Sequence, residues 1–457
     1  MMILSHDEWA AQAGEFIALW TDALHAYALY QPGRLVMTAL ADGGYPTLTH
    51  RHPGAGWFER LAHDLNGHIA LGAADTRPAV QQFRGSDGGA AWPEFAIPAG
   101  DGVHQVAVGP VHAAIIEPGH FRFSVLGETV LKLEARLGYA HKGTLGLMRG
   151  KSPRLAARFA ARISGDATVA HGLAFAQAAE AALAIAPPRR AILLRAMMAE
   201  IERMANHSSD IGAIAGDAGF SFLDARFGWH RESFCAAAHA AFGHRLMMDC
   251  VIPGGVAGDL DEAGAAAVHV ALDALENELP SLTRVFEDYA SLQDRVVGTG
   301  IIKPQLAAAY AAGGYVGRAS GRQVDARVTP GYAPYPAMTP LIPVETDGDV
   351  AARVRIRVAE LIESTRLIRL LLDNLPEGEV AITLPPNSGT GLGVAESFRG
   401  PVWYWLSLEA GAIMDLFIAD ASTLHWPLLE HAALTGILAD SPLINKSINA
   451  SYSGVDL

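Results

Sequence analysis

Cysteine is nearly absent from this chain: 457 residues contain two, Cys235 and Cys250. Two thiols cannot build a disulfide framework, a four-thiolate zinc site or an iron-sulfur cluster with four ligands of its own, and they suit a reducing compartment. Any excess of positive charge is missing too. Lys and Arg number 34 against 48 Asp and Glu, a net charge of -14, so no general field draws the chain to nucleic acid or anionic headgroups. Long apolar runs are lacking as well. The most apolar window, AHGLAFAQAAEAALAIAPP, is mostly alanine and is interrupted by Gln177 and Glu180, short of the roughly 20 strongly apolar residues of a membrane span. Asp7, Glu8 and Glu15 stand where a secretory signal would be basic and then apolar, so export is not expected.

What is present is enough apolar residue, 50% of the chain, for one large or two to three ordinary cores. The first hundred residues mix short apolar runs with Gly-, Pro- and Asp-rich turns and end in RGSDGGAAWPEFAIPAGDG. Such a stretch reads as a linker, which places a domain boundary near residue 100. Phe121, Phe123 and Val125 then alternate with polar neighbours and a Gly-Glu turn follows, predicting antiparallel strands. Beyond residue 150 the pattern turns helical. After APPRR, Leu193, Met197, Ile201 and Met204 form one buried stripe. Two further long helices are predicted in EAGAAAVHVALDALENELPSLTRVFEDYA and in DVAARVRIRVAELIESTRLIRLLLDNL, the second capped by Asp349. GRASGRQVDARVTPGYAPYPAMTP and LPPNSGTGLGVAESFRGPV read as long loops, the second leading into strand-like VWYWLSL. The expected fold class is α+β: a mainly helical bundle core with small antiparallel sheets flanking it, preceded by a short α/β domain.

Several motifs carry little chemistry by themselves. NSGTGLG lacks the Lys-Ser/Thr of a phosphate loop. His230, Cys235 and His239 include a Cys-x-x-x-His pair but no visible fourth ligand, and read as a buried thiol with two ordinary histidines. Glu200, Arg203 and His207 lie opposite the Leu193 stripe, where their residue types predict a solvated, ion-paired face.

Seven blocks change the weight of these residues: VGPVHAAIIEPGHFRF, GYAHKGTLGLMRGKSP, AEIERMANHSSDIGAIAGDAGF, HRESF, IPGGVAGDL, GRASGRQVDAR and FRGPVWYW. In this order they resemble the large subunit of energy-converting, membrane-bound nickel-iron hydrogenases of the formate hydrogenlyase and hydrogenase-4 type. They also resemble the homologous hydrogenase-like subunit of respiratory complex I. The resemblance covers residues 104 to 457, giving a hydrogenase large-subunit-like or quinone-module-like domain over 101–457. WFERLAHDLNGHIALGAADTRP is similar to the end of the small accessory subunit of complex I, implying a shortened accessory domain over 1–100.

Nickel-iron hydrogenases hold their metals with two Cys-x-x-Cys pairs, because soft thiolates bridge the two metals and stabilise low-valent states. By the register of Gly165 and His171 the early pair falls on Ser164 and Ala167. By that of Tyr452 and Asp456 the late pair falls on Ser451 and Gly454, in a tail that stops where a matured hydrogenase would. All four thiolates are missing, so the resemblance implies no nickel-iron centre and no hydrogenase activity of its own. In complex I the emptied cavity serves quinone, with a histidine and an aspartate that match His112 and Asp217 by position. A carboxylate beside an imidazole can deliver protons coupled to reduction. Glu117, His120 and His171 are the further cavity candidates. The quinone-binding tyrosine of complex I is replaced here, the nearest residue being Phe159, which has no hydroxyl to donate.

The reading implied is an oxidoreductase subunit, nickel-free, in a complex I-related assembly on the inner, cytoplasmic face of a bacterial membrane. It would bind a small iron-sulfur subunit that carries the cluster, beside ion-translocating membrane subunits, with no transmembrane segment of its own and no nucleic acid. Its cavity would serve a quinone-like acceptor or redox-to-ion coupling. The alternative is a non-catalytic structural subunit whose vestigial cavity is filled by side chains.

Overall fold

Alanine on a helix and glycine on a strand let two backbones approach until their atoms touch, and this contact organises the centre of the computed structural model, which describes residues 2–80, 94–112 and 116–457. An N-terminal sheet comes first, from β1 (Met2–Leu4), β2 (Phe16–Thr21), β3 (His25–Tyr30) and β4 (Arg34–Ala39), ordered β1-β4-β3-β2 with β1 parallel to β4. Helix α1 (Ala55–Asn66) packs against β2. The domain boundary expected near residue 100 falls in a stretch of which 81–93 lie outside the described residues. A second sheet, β5 (Val103–Val108), β6 (His120–Leu126) and β7 (Thr129–Arg136), is antiparallel, as the Phe121, Phe123, Val125 alternation predicts.

Four long helices follow the early loop 161–167: α2 (Thr168–Leu183), α3 (Arg189–Asp217), α4 (Ser221–Phe242) and α5 (Glu262–Asp288). With α6 (Val350–Asp373) they form the bundle, α3 packing on both α4 and α6. Leu193, Met197, Ile201 and Met204 are all buried. The Asp349 carboxylate accepts from the Ala352 N–H at 2.7 Å and opens α6, the cap expected of an acidic residue there.

Two expectations are corrected. The NSGTGLG region is a strand, not a loop: β8 (Gly389–Ser397) pairs with β9 (Gly400–Glu409), which pairs with β10 (Ala412–Ala419). Glycine reads as a loop residue, but here its missing Cβ lets the strand lie directly on α2. A Cβ on Gly391 would stand 1.9 Å from the Ala178 carbonyl oxygen, and one on Gly393 2.1 Å from that of Ala174. The second correction concerns Glu200, Arg203 and His207, which are buried rather than solvated. Their partners come from distant chain: Arg327, Tyr335 and Ser364 hold Glu200, the carbonyls of Glu396 and Ser397 receive Arg203, and Glu360 meets His207 at 2.7 Å. The GRASGRQVDARVTPGYAPYPAMTP segment supplies Arg318, Asp325 and Arg327 to this network, so it is folded inward with two short helical turns.

The N-terminal sheet shares one apolar core with the bundle. Trp20 stacks on Phe417 at 5.1 Å, and Tyr27 lies 5.4 Å from Trp405.

Candidate functional site

The final strand β10 runs into α7 (Ser422–Ala432), then α8 (Ser441–Ile448) and a buried closing segment, Asn449 to Leu457. This segment lies against the early loop. Ser164 and Ser451 meet hydroxyl to hydroxyl at 2.9 Å, and the Ser451 oxygen also accepts from the Gly454 N–H at 2.9 Å. Ser164 donates to Asp166 Oδ1 at 2.9 Å. Asp166 in turn receives two parallel hydrogen bonds from Arg399, the fork geometry that suits guanidinium to carboxylate. Arg399 Nε donates to the Asn449 carbonyl. Early loop, hairpin and closing segment are thereby tied at one point.

Below them, Asp420 receives a hydrogen bond from His171 Nε2 at 3.1 Å and from the Ser422 N–H at 2.7 Å. His171 Nδ1 then accepts from the Tyr404 hydroxyl at 3.0 Å. Burial works to raise the Asp420 carboxyl, but His171, the Ser422 N–H and Arg399 outweigh it and leave the group below the usual carboxylate range. His425 is fully buried with burial pushing it down to about 4, and its Nδ1 has no partner among the described residues.

Beyond this point the closing segment is clamped along its length. Trp426 Nε1 donates to the Ser451 carbonyl at 3.0 Å, and the Ser451 N–H donates to Ser422 Oγ at 2.9 Å. The Asp456 carboxylate accepts from the Gly138 and Ala140 N–H groups, each at 2.8 Å. Burial raises that carboxyl to about 7, with Glu117 adding to the shift. Glu117 accepts from the Ser453 N–H at 2.9 Å, joining the stretch between β5 and β6, the rim, to the segment.

Ser164, Ala167, Ser451 and Gly454, predicted as one set by resemblance, thus lie on two adjoining pieces of chain. As donors they present two hydroxyls, a methyl and a hydrogen, and no thiolate, which does not fit a nickel-iron centre. Nor is there room for a longer side chain at Gly454, where a Cβ would stand 2.9 Å from Asp420 Oδ2 and from Ser451 Oγ. Among the described residues no three His, Cys, Asp or Glu side chains converge as a metal-ligating group. His230 is hydrogen-bonded to Glu278 at 2.9 Å, and Cys235 is buried.

The histidines of the rim are spent on its own backbone. His112 Nε2 bonds the Gly119 carbonyl at 2.8 Å and His120 Nδ1 bonds that of Gly109 at 3.3 Å. Asp217 ends α3 at an exposed position, with Lys446 and Asp224 as its charged neighbours. Among the described residues no hydrogen bond joins it to His112. Sequence reading missed Asp166, Arg399 and Asp420; the signal available was an acid inside the early loop and an arginine ahead of VWYW, both without helical or strand periodicity.

Comparison with known proteins supplies the deciding observation. Residues 225–388 match the model of the respiratory-chain NADH dehydrogenase 49 Kd subunit, and residues 142–209 match that of nickel-dependent hydrogenase. Formate hydrogenlyase subunit 5 of Escherichia coli is 28% identical over 437 residues, 90% of this chain and 77% of that one. This chain is similar to those hydrogenase and complex I large subunits. It is also 28% identical over 304 residues to an NADH-quinone oxidoreductase subunit of Dehalococcoides mccartyi, covering 65% of this chain and 83% of its relative. A chain of the membrane-bound sulfane sulfur reductase, an archaeal respiratory membrane complex, shares its fold with a TM-score of 0.73 at 23% identity, over 79% of this chain and 100% of that chain.

Proposed function

We propose that this large subunit works without a nickel-iron centre in a membrane-bound, complex I-related oxidoreductase, and that its vestigial metal position is filled by protein. The observation that carries this reading is the Ser164–Ser451 hydroxyl contact, backed by the Asp166–Arg399 ion pair where thiolates would be needed. A serine hydroxyl is a hard, neutral donor at physiological pH, unsuited to a low-valent metal pair. The subunit then contributes at this point by holding three chain segments together, and chemistry in the assembly belongs to its partners: a small iron-sulfur subunit and ion-translocating membrane subunits, with the large subunit peripheral on the cytoplasmic face. Its relatives include a membrane-bound hydrogenase subunit alpha of Pyrococcus furiosus, 25% identical over 325 residues. No helix among the described residues is long and apolar enough to cross a membrane, which supports attachment through partners.

The test is metal analysis of the intact purified assembly together with a hydrogen uptake and evolution assay. Nickel well below one per large subunit and no hydrogen turnover are expected; one nickel per chain overturns the reading.

One observation favours a second reading, a quinone-like acceptor at the rim. Glu117 bonds the closing segment, so a group bound among His112, Glu117 and His120 would act on that segment directly. Turnover with a soluble quinone that falls in Glu117→Gln while the assembly stays intact supports it, and unchanged turnover counts against it.

A further inference from the structure

The largest cavity described, about 340 Å³, lies away from the early loop, at the seam where the N-terminal domain meets β7 and α7. Its walls are Trp57, Tyr310 and Trp426, and its polar groups include Arg60, Asp75 and Glu430. A space of this size falls in the range of small-molecule pockets and has room for about ten waters.

Arg60 is the unusual member. Its side chain is 14% exposed, and it makes a loose ion pair with Asp75, 3.6 Å from Nε. Asp75 is already occupied by Arg77, which grips it at 2.9 and 2.7 Å. Arg60 Nε reaches only the Gly56 carbonyl, at a long 3.4 Å. Among the described residues neither Nη group of Arg60 has an acceptor. A guanidinium carries five N–H donors, and a single loose ion pair leaves its Nη groups free for an acceptor in the cavity. Its plane lies over the Trp57 ring, Cζ 5.0 Å from the centroid, so the group is held in place.

On the facing side Glu430 accepts from the Ala135 N–H at 2.8 Å. Burial lifts its carboxyl to about 7, against the lowering effect of Arg77 and Arg60. When protonated it is a donor rather than a competing anion. Asp75 is shared with Arg77, which also contacts Glu134 at 3.0 Å, so Arg60 is, among the described residues, the cation of the lining held only by one loose ion pair, at 3.6 Å.

We propose that this seam cavity binds a small planar aromatic carboxylate. The carboxylate would take a forked pair of hydrogen bonds from Arg60, with its ring against the aromatic side chains of the lining, contacts that aromatic walls favour. A cationic ligand would meet Arg60 head on, and an alkane would leave its donors unpaired. The lining also includes Val455, and Trp426 bonds the Ser451 carbonyl. Occupancy therefore reaches the closing segment through one side chain. This inference stands apart from the metal-free reading and does not depend on it.

The experiment is titration of the full-length chain with benzoate, followed by calorimetry and tryptophan fluorescence, with benzamide and benzylamine as neutral and cationic isosteres. Saturable 1:1 benzoate binding is expected, with benzamide about tenfold weaker or more and benzylamine not binding. Arg60→Gln should weaken benzoate by a similar factor. Ala74→Trp, at the exposed lip of the same cavity, should block binding with the melting temperature unchanged, which covers the case in which the Arg60 variant does not fold. Absence of saturable benzoate binding, equal binding of benzamide, or unaltered affinity in Ala74→Trp overturns the proposal.

Discussion

Arg399 on the hairpin and Asp166 on the early loop, 233 residues apart in the chain, form a two-pronged ion pair next to the Ser164–Ser451 contact. Arg399 is nearly buried, whereas the Asp166 side chain is 43% exposed, at the edge of a neighbouring cavity lined by Glu202, Asn206 and Arg245. Solvent therefore screens the pair on one side, and its loss is felt through the stranded arginine more than through lost Coulomb attraction.

Asp166→Ala should lower unfolding free energy by about 1–3 kcal/mol, the cost of leaving a charged donor unpaired. It should also speed amide exchange at Ser451 and Gly454, which hang on the same network. Denaturant melts and hydrogen exchange by mass spectrometry read the two effects. Exchange at the wild-type rate would show that the closing segment is held independently.

Arg327→Met should be far more damaging than any surface substitution. It removes the partner of both Glu200 and Asp325 in a buried network, and breaking one side of a buried pair costs about 3–5 kcal/mol. A loss of only a few tenths in a urea melt would restore the solvated reading of Glu200, Arg203 and His207.

Gly391→Ala should cost about 1–3 kcal/mol or more, because its methyl must displace the backbone of α2 rather than a movable side chain. The same change at Gly165, where a Cβ meets nothing within 4 Å, should be nearly silent in the same thermal melt.

Closure of the last residues should weaken as pH rises from about 4 to 7. Asp456 in an unfolded chain ionises near 4, whereas burial in the folded state raises it to about 7. Between these values the folded state holds a proton that the unfolded state has released. The stabilisation is complete below the unfolded value and is lost as pH passes through the folded one. Glu117 and Lys142 face the same carboxylate, and His141 bonds the Asp456 main-chain carbonyl. Amide exchange at Val455 and Leu457 should therefore be slower at pH 5 than at pH 8 after correction for intrinsic rates, with Asp456→Asn abolishing the difference.

Three of the five long helices were readable, and α3 is the plainest case, since Leu193 to Met204 form an apolar stripe of helical period that packing then uses. Strand β8 was not readable, since glycine signals a turn in sequence and signals contact only once the alanine face of α2 is seen beside it. The acidic and basic residues of α3 misled for a related reason. Their spacing is that of a solvated face, and nothing local reveals that Arg327 and Glu360 arrive from more than 120 residues away. The meeting of Ser164 with Ser451 was legible through family resemblance. Asp166 and Arg399 were not, because the significance of each depends wholly on the other.

The bare seam between β8 and α2 also sets a distance elsewhere. His171 rides on α2, and Tyr404 lies opposite Gly393 in the hairpin. With no side chain to act as a spacer, helix and sheet behave as a single slab, and the imidazole is carried to its tyrosine and to Asp420 with almost no freedom to retreat. A methyl group added far up that slab would be felt as misalignment at its lower end.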